Sequence, residues 1–345
     1  MRAAVVIPSV RPALLREFIA AWQPASRSPD VRLIVVEDNP TRTPDMVPGW
    51  AEHYCWEDID RDLGDKASCI PRQDSGVRDY GYWLAGKDPS IDMIVSLDDD
   101  VRPIAPAFLS GHWEALNTPY ALRWFNTMQD GQYPRGYPYA QQKGGVFSQL
   151  NHGLWTGSPD LDAYAELRDP HAYATAPTII NGLVPPGMYY PNCAMNYAFR
   201  REVAPFCYQP ILPDGMKRWG DIWSGVIFKR IADVHGWAVT SGYPCVRHER
   251  ASDPLNNLRQ EMLGYGINER LWQAVDWVHP LHTSPLGTYR RLAEEIGNAF
   301  PELKGTSDAM LTWASLWDGG TTQPMSFTSS NGTDWVSALP NGLWE

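Results

Sequence analysis

The sequence predicts an α/β protein: a doubly wound, mostly parallel sheet with helices on both faces and an irregular C-terminal extension. Three observations predict it. Short apolar runs recur at Ala3-Ala4-Val5-Val6-Ile7, at residues 31–36 and at residues 93–97. Each is continuous rather than alternating, as strands buried on both faces require. Helix-period sequence lies between the runs, and each run ends in polar or charged residues, where open α/β sheets hold ligands.

Taken in order, the first run stops at Pro8, and residues 14–22 carry apolar positions at helical spacing before Pro24. The second run enters Glu37-Asp38-Asn39-Pro40. Residues 77–84 open a helix, and Met93-Ile94-Val95-Ser96-Leu97 runs straight into Asp98-Asp99-Asp100. From about Phe125 the sequence becomes Gly-, Pro- and aromatic-rich, with turn signals such as Pro185-Pro186-Gly187. It predicts loops and short strands capping the ligand edge of the sheet. Helical sequence resumes over residues 222–235, 257–277 and 285–296. The tail from about Gly305, rich in Gly, Ser and Thr and containing Asn331-Gly332, reads either as a β-hairpin or as a mobile extension.

The 345 residues fit two domains or one large α/β domain with extensions. A net charge of −11 disfavours nucleic acid as the main ligand, because no basic stripe is available to displace phosphate counterions. No stretch approaches the ~18 apolar residues of a membrane span. The opening MRAAVVIPSV lacks the pattern of a secretory leader, so a cytoplasmic protein is expected. Five cysteines, an odd number without a Cys-x-x-Cys pair, read as buried reduced thiols. Sixteen tryptophans suit either sugar-ring platforms or an aromatic core.

The sharpest local signal is the acidic triplet. Three adjacent carboxylates repel unless solvent or a cation screens them. At a strand end, Asp98 and Asp100 share one side and Asp99 takes the other. Two carboxylates on one face, bridged by a nucleotide diphosphate, make an oxygen-rich site for Mg²⁺ or Mn²⁺. The residues alone also fit an acidic turn or helix cap; the strand before them and Val101 after them favour a site. Glu37 and Asp38 offer carboxylates to a nucleobase or ribose. Arg11, Lys66 and Arg78 read either as diphosphate contacts or as surface charges. His248 follows a strand and reads as a further metal ligand or a structural imidazole. Asp221 heads a helix, as an N-cap or as a carboxylate facing a sugar. Tyr137, Trp155 and Trp223 either pack on that sugar or belong to the core.

These residues resemble the reversibly glycosylated polypeptide family, which contains the UDP-arabinopyranose mutases of plant cell-wall synthesis. The likeness runs through Val6-Ile7-Pro8-Ser9-Val10-Arg11, Val35-Val36-Glu37-Asp38, Lys66-Ala67-Ser68-Cys69-Ile70 and Asp74-Ser75-x-x-Arg78-x-x-Gly81-Tyr82. It continues at Asp98-Asp99-Asp100, Phe125-Asn126-Thr127, Arg135-Gly136-Tyr137-Pro138, His152-Gly153-Leu154-Trp155 and Pro159-Asp160-x-Asp162-Ala163. It closes with Asn192-Cys193-Ala194-Met195-Asn196, Asp221-Ile222-Trp223-Ser224-Gly225 and His248-x-Arg250-Ala251-Ser252-x-Pro254. Roughly residues 3–295 are covered.

The resemblance implies a GT-A-like glycosyltransferase fold with a UDP-sugar ligand, UDP-arabinose above others, and Mn²⁺ or Mg²⁺ as cofactor. It implies residues 1–300 as the nucleotide-sugar domain, with a nucleotide-binding half to about 125 and a sugar or acceptor half after it, and 301–345 as an extension. The nucleotide set is then Pro8, Arg11, Glu37, Asp38, Lys66, Arg78, Asp98 and Asp99; the metal ligands are Asp98, Asp100 and His248. Arg135 matches the arginine that becomes reversibly glycosylated, and Asp221 joins it as the second catalytic residue. Seven residues beyond Arg135 the family carries another arginine, where this chain reads Gln141-Gln142-Lys143-Gly144 with Gln142 in that place. The implied activity is a UDP-sugar mutase interconverting UDP-arabinopyranose and UDP-arabinofuranose. The alternative is a UDP-sugar-dependent transferase with a separate acceptor such as a natural product, glycan or modified nucleobase. A homo-oligomer is compatible with either.

Overall fold

The computed structural model describes residues 1–26, 28–104, 107–128, 131–142, 145–175, 182–250, 252–278 and 284–319. Its strands are β1 (Ala3–Ser9), β2 (Val31–Glu37), β3 (Glu52–Tyr54), β4 (Met93–Leu97), β5 (Val101–Pro103), β6 (Pro119–Tyr120), β7 (Val146–Gly157), β8 (Gly182–Leu183), β9 (Asn196–Arg200) and β10 (Ala238–His248). The main path of the sheet runs β3-β2-β1-β4-β9-β7-β10-β5, with β6 and β8 hung on β7 and β10. β1 lies parallel to β2 and β4, β2 to β3, and β7 to β10. β9 enters antiparallel between β4 and β7, and β5 closes antiparallel on β10.

Helices cover both faces: α1 (Pro12–Ser26), α2 (Trp56–Leu63), α3 (Asp79–Lys87), α4 (Phe108–Asn117), α5 (Ala163–Arg168), α6 (Gly220–His235), α7 (Pro254–Glu261), α8 (Tyr265–Asp276), α9 (Pro285–Ala299) and α10 (Lys304–Ser315). The strand residues alternate between two cores, as a pleat buried on both sides must. Ala3, Val5 and Ile7 of β1 face Leu15, Phe18 and Trp22 of α1 and Phe108 of α4. Ala4 and Val6 face the larger core with Tyr82 and Ala85 of α3 and the buried side of α6. Gly81 lets α3 settle directly on β1: a Cβ there would lie 2.4 Å from Cγ1 of Val6. The expected doubly wound α/β architecture is the one observed.

Three local expectations change. Residues 146–157, read as loop or short strand, form the twelve-residue β7. Its buried polar residues hide the strand from an apolar-pattern reading, because they are satisfied across the sheet. Ser148 Oγ lies 3.0 Å from Thr240 Oγ1, and Asn151 Oδ1 accepts from Thr240 Oγ1 at 2.8 Å. The helix expected over 257–277 is broken at Gly264, which has Trp219 against it; a Cβ there would sit 2.2 Å from Trp219 Nε1.

The start of the C-terminal extension is also not irregular. α10 packs on α9 and buries Met310 and Trp313, with Trp317 beyond its end. Trp313 stacks on Tyr208 at 5.0 Å and donates to Pro205 O at 2.8 Å. Burying one such side chain stabilises by about 2–3 kcal/mol, enough to override the weak helix signal of Gly, Ser and Thr. Trp317 packs against Gly86 near the end of α3, where a Cβ would come within 2.6 Å of the indole. The Asn331-Gly332 hairpin expectation lies outside the described residues.

Candidate active site

β4 ends at Leu97, so the acidic triplet lies in the turn that follows rather than on the pleat. The turn and the neighbouring strand ends set each carboxylate apart. Asp99 is buried; it accepts from Ser9 Oγ at the end of β1 (2.6 Å) and from Arg11 Nε (3.2 Å) and Nη2. Asp98 keeps about a third of its side chain exposed (32%) and receives Arg78 Nη2. Asp100 accepts from Arg11 Nη2 through Oδ2 at 3.3 Å, while its buried Oδ1 has no hydrogen-bond partner among the described residues. Burial and the Asp98 charge push the Asp100 carboxyl up to about 6, against the pull of His248 and Arg11.

Arg78 is not free to clamp a diphosphate. It is buried and donates to Ser75 O (2.9 Å), Ser96 Oγ (2.8 Å), Ala194 O (2.9 Å) and Asp98. Burial alone would lower its pKa, but Asp98 and the nearby phenols hold it above the ordinary value. Arg78 therefore acts as a fixed cation beneath Asp98.

β5 begins one residue after the triplet and pairs with the end of β10 in the register His248↔Val101. This pairing brings His248 to Asp100, and Glu249 N donates to Asp100 O at 3.3 Å. His248 Nδ1 lies 2.7 Å from Ser158 O. A carbonyl only accepts, so Nδ1 is the donor, and in the neutral ring Nε2 carries the lone pair. Beside it opens a cleft of ≈ 240 Å³ lined by Gly157, Ser158, Tyr173, Arg247, His248, Glu249 and Arg250.

Asp221 stands in the first turn of α6 and accepts from Ala194 N at 3.0 Å and Ile222 N at 2.9 Å. Ala194 is the peptide whose carbonyl Arg78 holds, so Asp221 and Asp98 are tied to one backbone segment. Burial, then the charge of Asp160, pushes Asp221 up to about 7; Asp98 adds to the rise.

Other expected site residues lie elsewhere or are already engaged. The Glu37 carboxylate is saturated by Asn39 Nδ2 (2.7 Å), Thr43 N (2.8 Å), Thr43 Oγ1 and His53 Nε2 (2.8 Å). It pins the loop between β2 and β3 rather than presenting acceptors to a base. Asp38 is likewise taken by Trp56 Nε1, Gln73 N and Asp74 N. Lys66 is exposed and donates to Ser315 O at the end of α10, a pairing favoured by the helix dipole, so it is not among the partners of the triplet. Pro8 lies in β1 opposite Val36.

Arg135 is exposed on the segment after β6 and makes no hydrogen bond or ion pair with a described residue; Gly136 follows it at φ +98°. Gln142 donates to Tyr137 O at 3.5 Å; Lys143 and Gly144 lie outside the described residues. Of the aromatic residues, Trp223 is core, hydrogen-bonded to Asn268 Oδ1 and stacked by Trp219, and cannot face a sugar. Tyr137 is buried against Trp124 and Tyr133, and Trp155 is half-buried.

Sequence reasoning missed Ser9, Ser158 and Asp160 as parts of the site. All three lie at or beside the end of a strand on the ligand edge, which was the available signal. Their partners are dozens of residues away and invisible locally.

The donor set suits a hard divalent cation: carboxylate oxygens, one of them buried and without a partner among the described residues, and an imidazole whose Nε2 can act as a ligand when the ring is neutral. Among the described residues no group of three or more His, Cys, Asp or Glu forms a ready cage. A cation at Asp98, Asp100 and His248 would complete its shell with diphosphate oxygens and water, as Mg²⁺ and Mn²⁺ do.

Among solved structures, glucosyl-3-phosphoglycerate synthase from Mycobacterium tuberculosis, in complex with Mn²⁺, UDP-glucose and phosphoglyceric acid, is similar at 17% identity. The match covers 80% of this chain and 78% of that chain, with a TM-score of 0.43. A mannosyltransferase from Pyrobaculum calidifontis with GDP-Man and Mn²⁺ matches at 14% identity over 91% and 73%, TM-score 0.41.

The sequence relatives are much nearer. UDP-arabinopyranose mutase 1 of Arabidopsis thaliana is 33% identical over 336 residues, covering 91% of each chain. UDP-arabinopyranose mutase 1 of Oryza sativa subsp. japonica is 31% identical over 337 residues, 91% of this chain and 90% of the relative. The family profile described as "Reversibly glycosylated polypeptide" matches residues 2–322, through α10 and past the boundary near 305 expected from sequence. With that match over nearly its whole length, the chain belongs to the reversibly glycosylated polypeptide family.

Proposed function

We propose that this protein is a UDP-sugar mutase, an isomerase that interconverts UDP-arabinopyranose and UDP-arabinofuranose. The observation that carries the reading is Asp100 at the ligand edge, its buried Oδ1 without a partner among the described residues and its charge felt by both Asp98 and His248. The mutase names of relatives about a third identical over 91% of the chain support it.

Asp98, Asp100 and His248 would hold Mn²⁺ or Mg²⁺, which when bound offsets the charge building on a departing diphosphate. The residues divide the remaining work. Arg78 holds Asp98 in place from below. The anomeric C–O bond breaks with its electron pair passing to the diphosphate oxygen, and the sugar develops oxocarbenium character. Asp221, beside the same backbone segment, stabilises that positive charge when ionised and holds a proton near neutral pH. Arg135 holds the released sugar while its ring opens and closes on a different hydroxyl; the anomeric carbon then bonds again to the same UDP, so no other reactant is consumed. A guanidinium with pKa above ~12 is a poor nucleophile, so Arg135 needs a carboxylate neighbour if the sugar bonds to it.

The test is to incubate the protein with radiolabelled UDP-arabinopyranose and Mn²⁺ and no acceptor. UDP-arabinofuranose is the expected product. Slow hydrolysis alone would point instead to transfer onto a separate acceptor, the reading that Gln142 in place of the family arginine favours.

A further inference from the structure

The site carries three carboxylates against two guanidinium groups, and the two arginines are not equivalent. Arg78 is buried and spends its donors on Asp98 and on fixed backbone and hydroxyl oxygens. Arg11 is 40% exposed, sits just before α1 and reaches two carboxylates at once. Its Nε and Nη2 hold Asp99, which Ser9 also serves, so Asp99 keeps a partner whatever Arg11 does. The same Nη2 extends to Asp100 Oδ2 at 3.3 Å. Arg11 thus lies against the carboxylate that a cation at this corner needs, and it is the more exposed of the two arginines.

We propose that Arg11 is a placeholder for the divalent cation: it neutralises Asp100 in the empty site, and it yields Asp100 and turns its fork to the diphosphate when nucleotide and cation enter together. A guanidinium and a divalent ion sharing one carboxylate repel each other. A phosphoryl oxygen gives the displaced fork an equal or better acceptor. Cation and nucleotide therefore bind with positive coupling, and by linkage each strengthens the other by the same factor. Such coupling limits free metal on the empty corner and favours the loaded state only when the diphosphate is present. The inference rests on the cation site of the proposed function.

Mn²⁺ binding followed by electron paramagnetic resonance, with and without UDP, tests it apart from turnover. Arg11→Gln is expected to tighten Mn²⁺ binding to nucleotide-free protein by about tenfold and to shrink the strengthening conferred by UDP. Arg11→Lys keeps a charge for Asp99 but cannot span to Asp100 as well. It is expected to gain about threefold, and it decides the matter if the glutamine variant does not fold. An Arg11 that only supports the local structure would lose Mn²⁺ affinity when replaced. Unchanged or weaker nucleotide-free binding in the folded variants, with UDP-dependent binding intact, overturns the placeholder and leaves the cation site standing. Absence of Mn²⁺ binding even with UDP, in wild type and variants alike, overturns both.

Discussion

Around Asp98, Asp99 and Asp100, strand ends from β1, β4 and β10 converge, and the carboxylates meet buried or half-buried cations through named hydrogen bonds. Around Arg135, residues 121–128 and 131–142 contain no strand, only a short turn of helix at Tyr139–Gln141. Trp124, Phe125, Met128 and Tyr139 are exposed there, and the segment is held by its own hydrogen bonds and by the rings of Trp124, Tyr133 and Tyr137. The difference separates two demands on a site that breaks and remakes one bond. Charge stabilisation needs donors and carboxylates fixed before the reaction. A group that catches a released sugar has to meet it in more than one ring form, which suits a segment outside the sheet's strand ladder.

That contrast can be broken at either end. The largest effect is expected from Asp100→Asn, which should reduce Mn²⁺-dependent UDP-sugar turnover by at least about a hundredfold, measured by nucleotide-sugar chromatography. Retained activity would remove Asp100 from the site. Arg78→Met should cost about 3 kcal/mol in denaturant unfolding, because Asp98, Ser96 and Ala194 lose their shared donor in a buried place.

Arg135→Ala should change stability by less than about 0.5 kcal/mol, since its side chain is exposed. It should nevertheless abolish covalent labelling by radiolabelled UDP-sugar; label persisting on another residue would move the capture site. Asp221→Asn probes the link between the regions. The native carboxyl titrates at about 7, above its unfolded value, so the stability tied to its protonated form is present below about 4 and lost as pH rises through 7. The variant should therefore gain on wild type by about 1–2 kcal/mol between pH 5 and pH 8, read from unfolding at both values. Smallest is Gln142→Arg, expected to raise mutase product over hydrolysis by about threefold, measured as the product ratio.

The first part of the sheet was legible because β1, β2 and β4 are runs of mostly small and branched apolar residues buried on both faces. The triplet after β4 was legible as charge that nothing local could pair. β7 was not, because a strand whose buried Ser148, Asn151 and His152 find partners on β10 and α4 shows no apolar rhythm. Glu37 and Arg78 were legible as charges at the ligand edge but not in their tasks. Glu37 is used up by His53, sixteen residues away, and Arg78 by Ala194, on another part of the chain. Arg135 stood out only through the family likeness, since an exposed arginine in a turn has no physical signature of its own.

The close packing of Trp317 against Gly86 has a consequence for how this chain can vary. Position 86 has no spare volume while an indole covers it, and the indole has no other seat of that shape. A methyl group added at 86 is tolerable only if the ring at 317 is traded for something thinner. Homologous chains should thus change these two positions in concert or leave both alone, a covariance that ties the residue just past α10 to α3 across more than two hundred intervening residues.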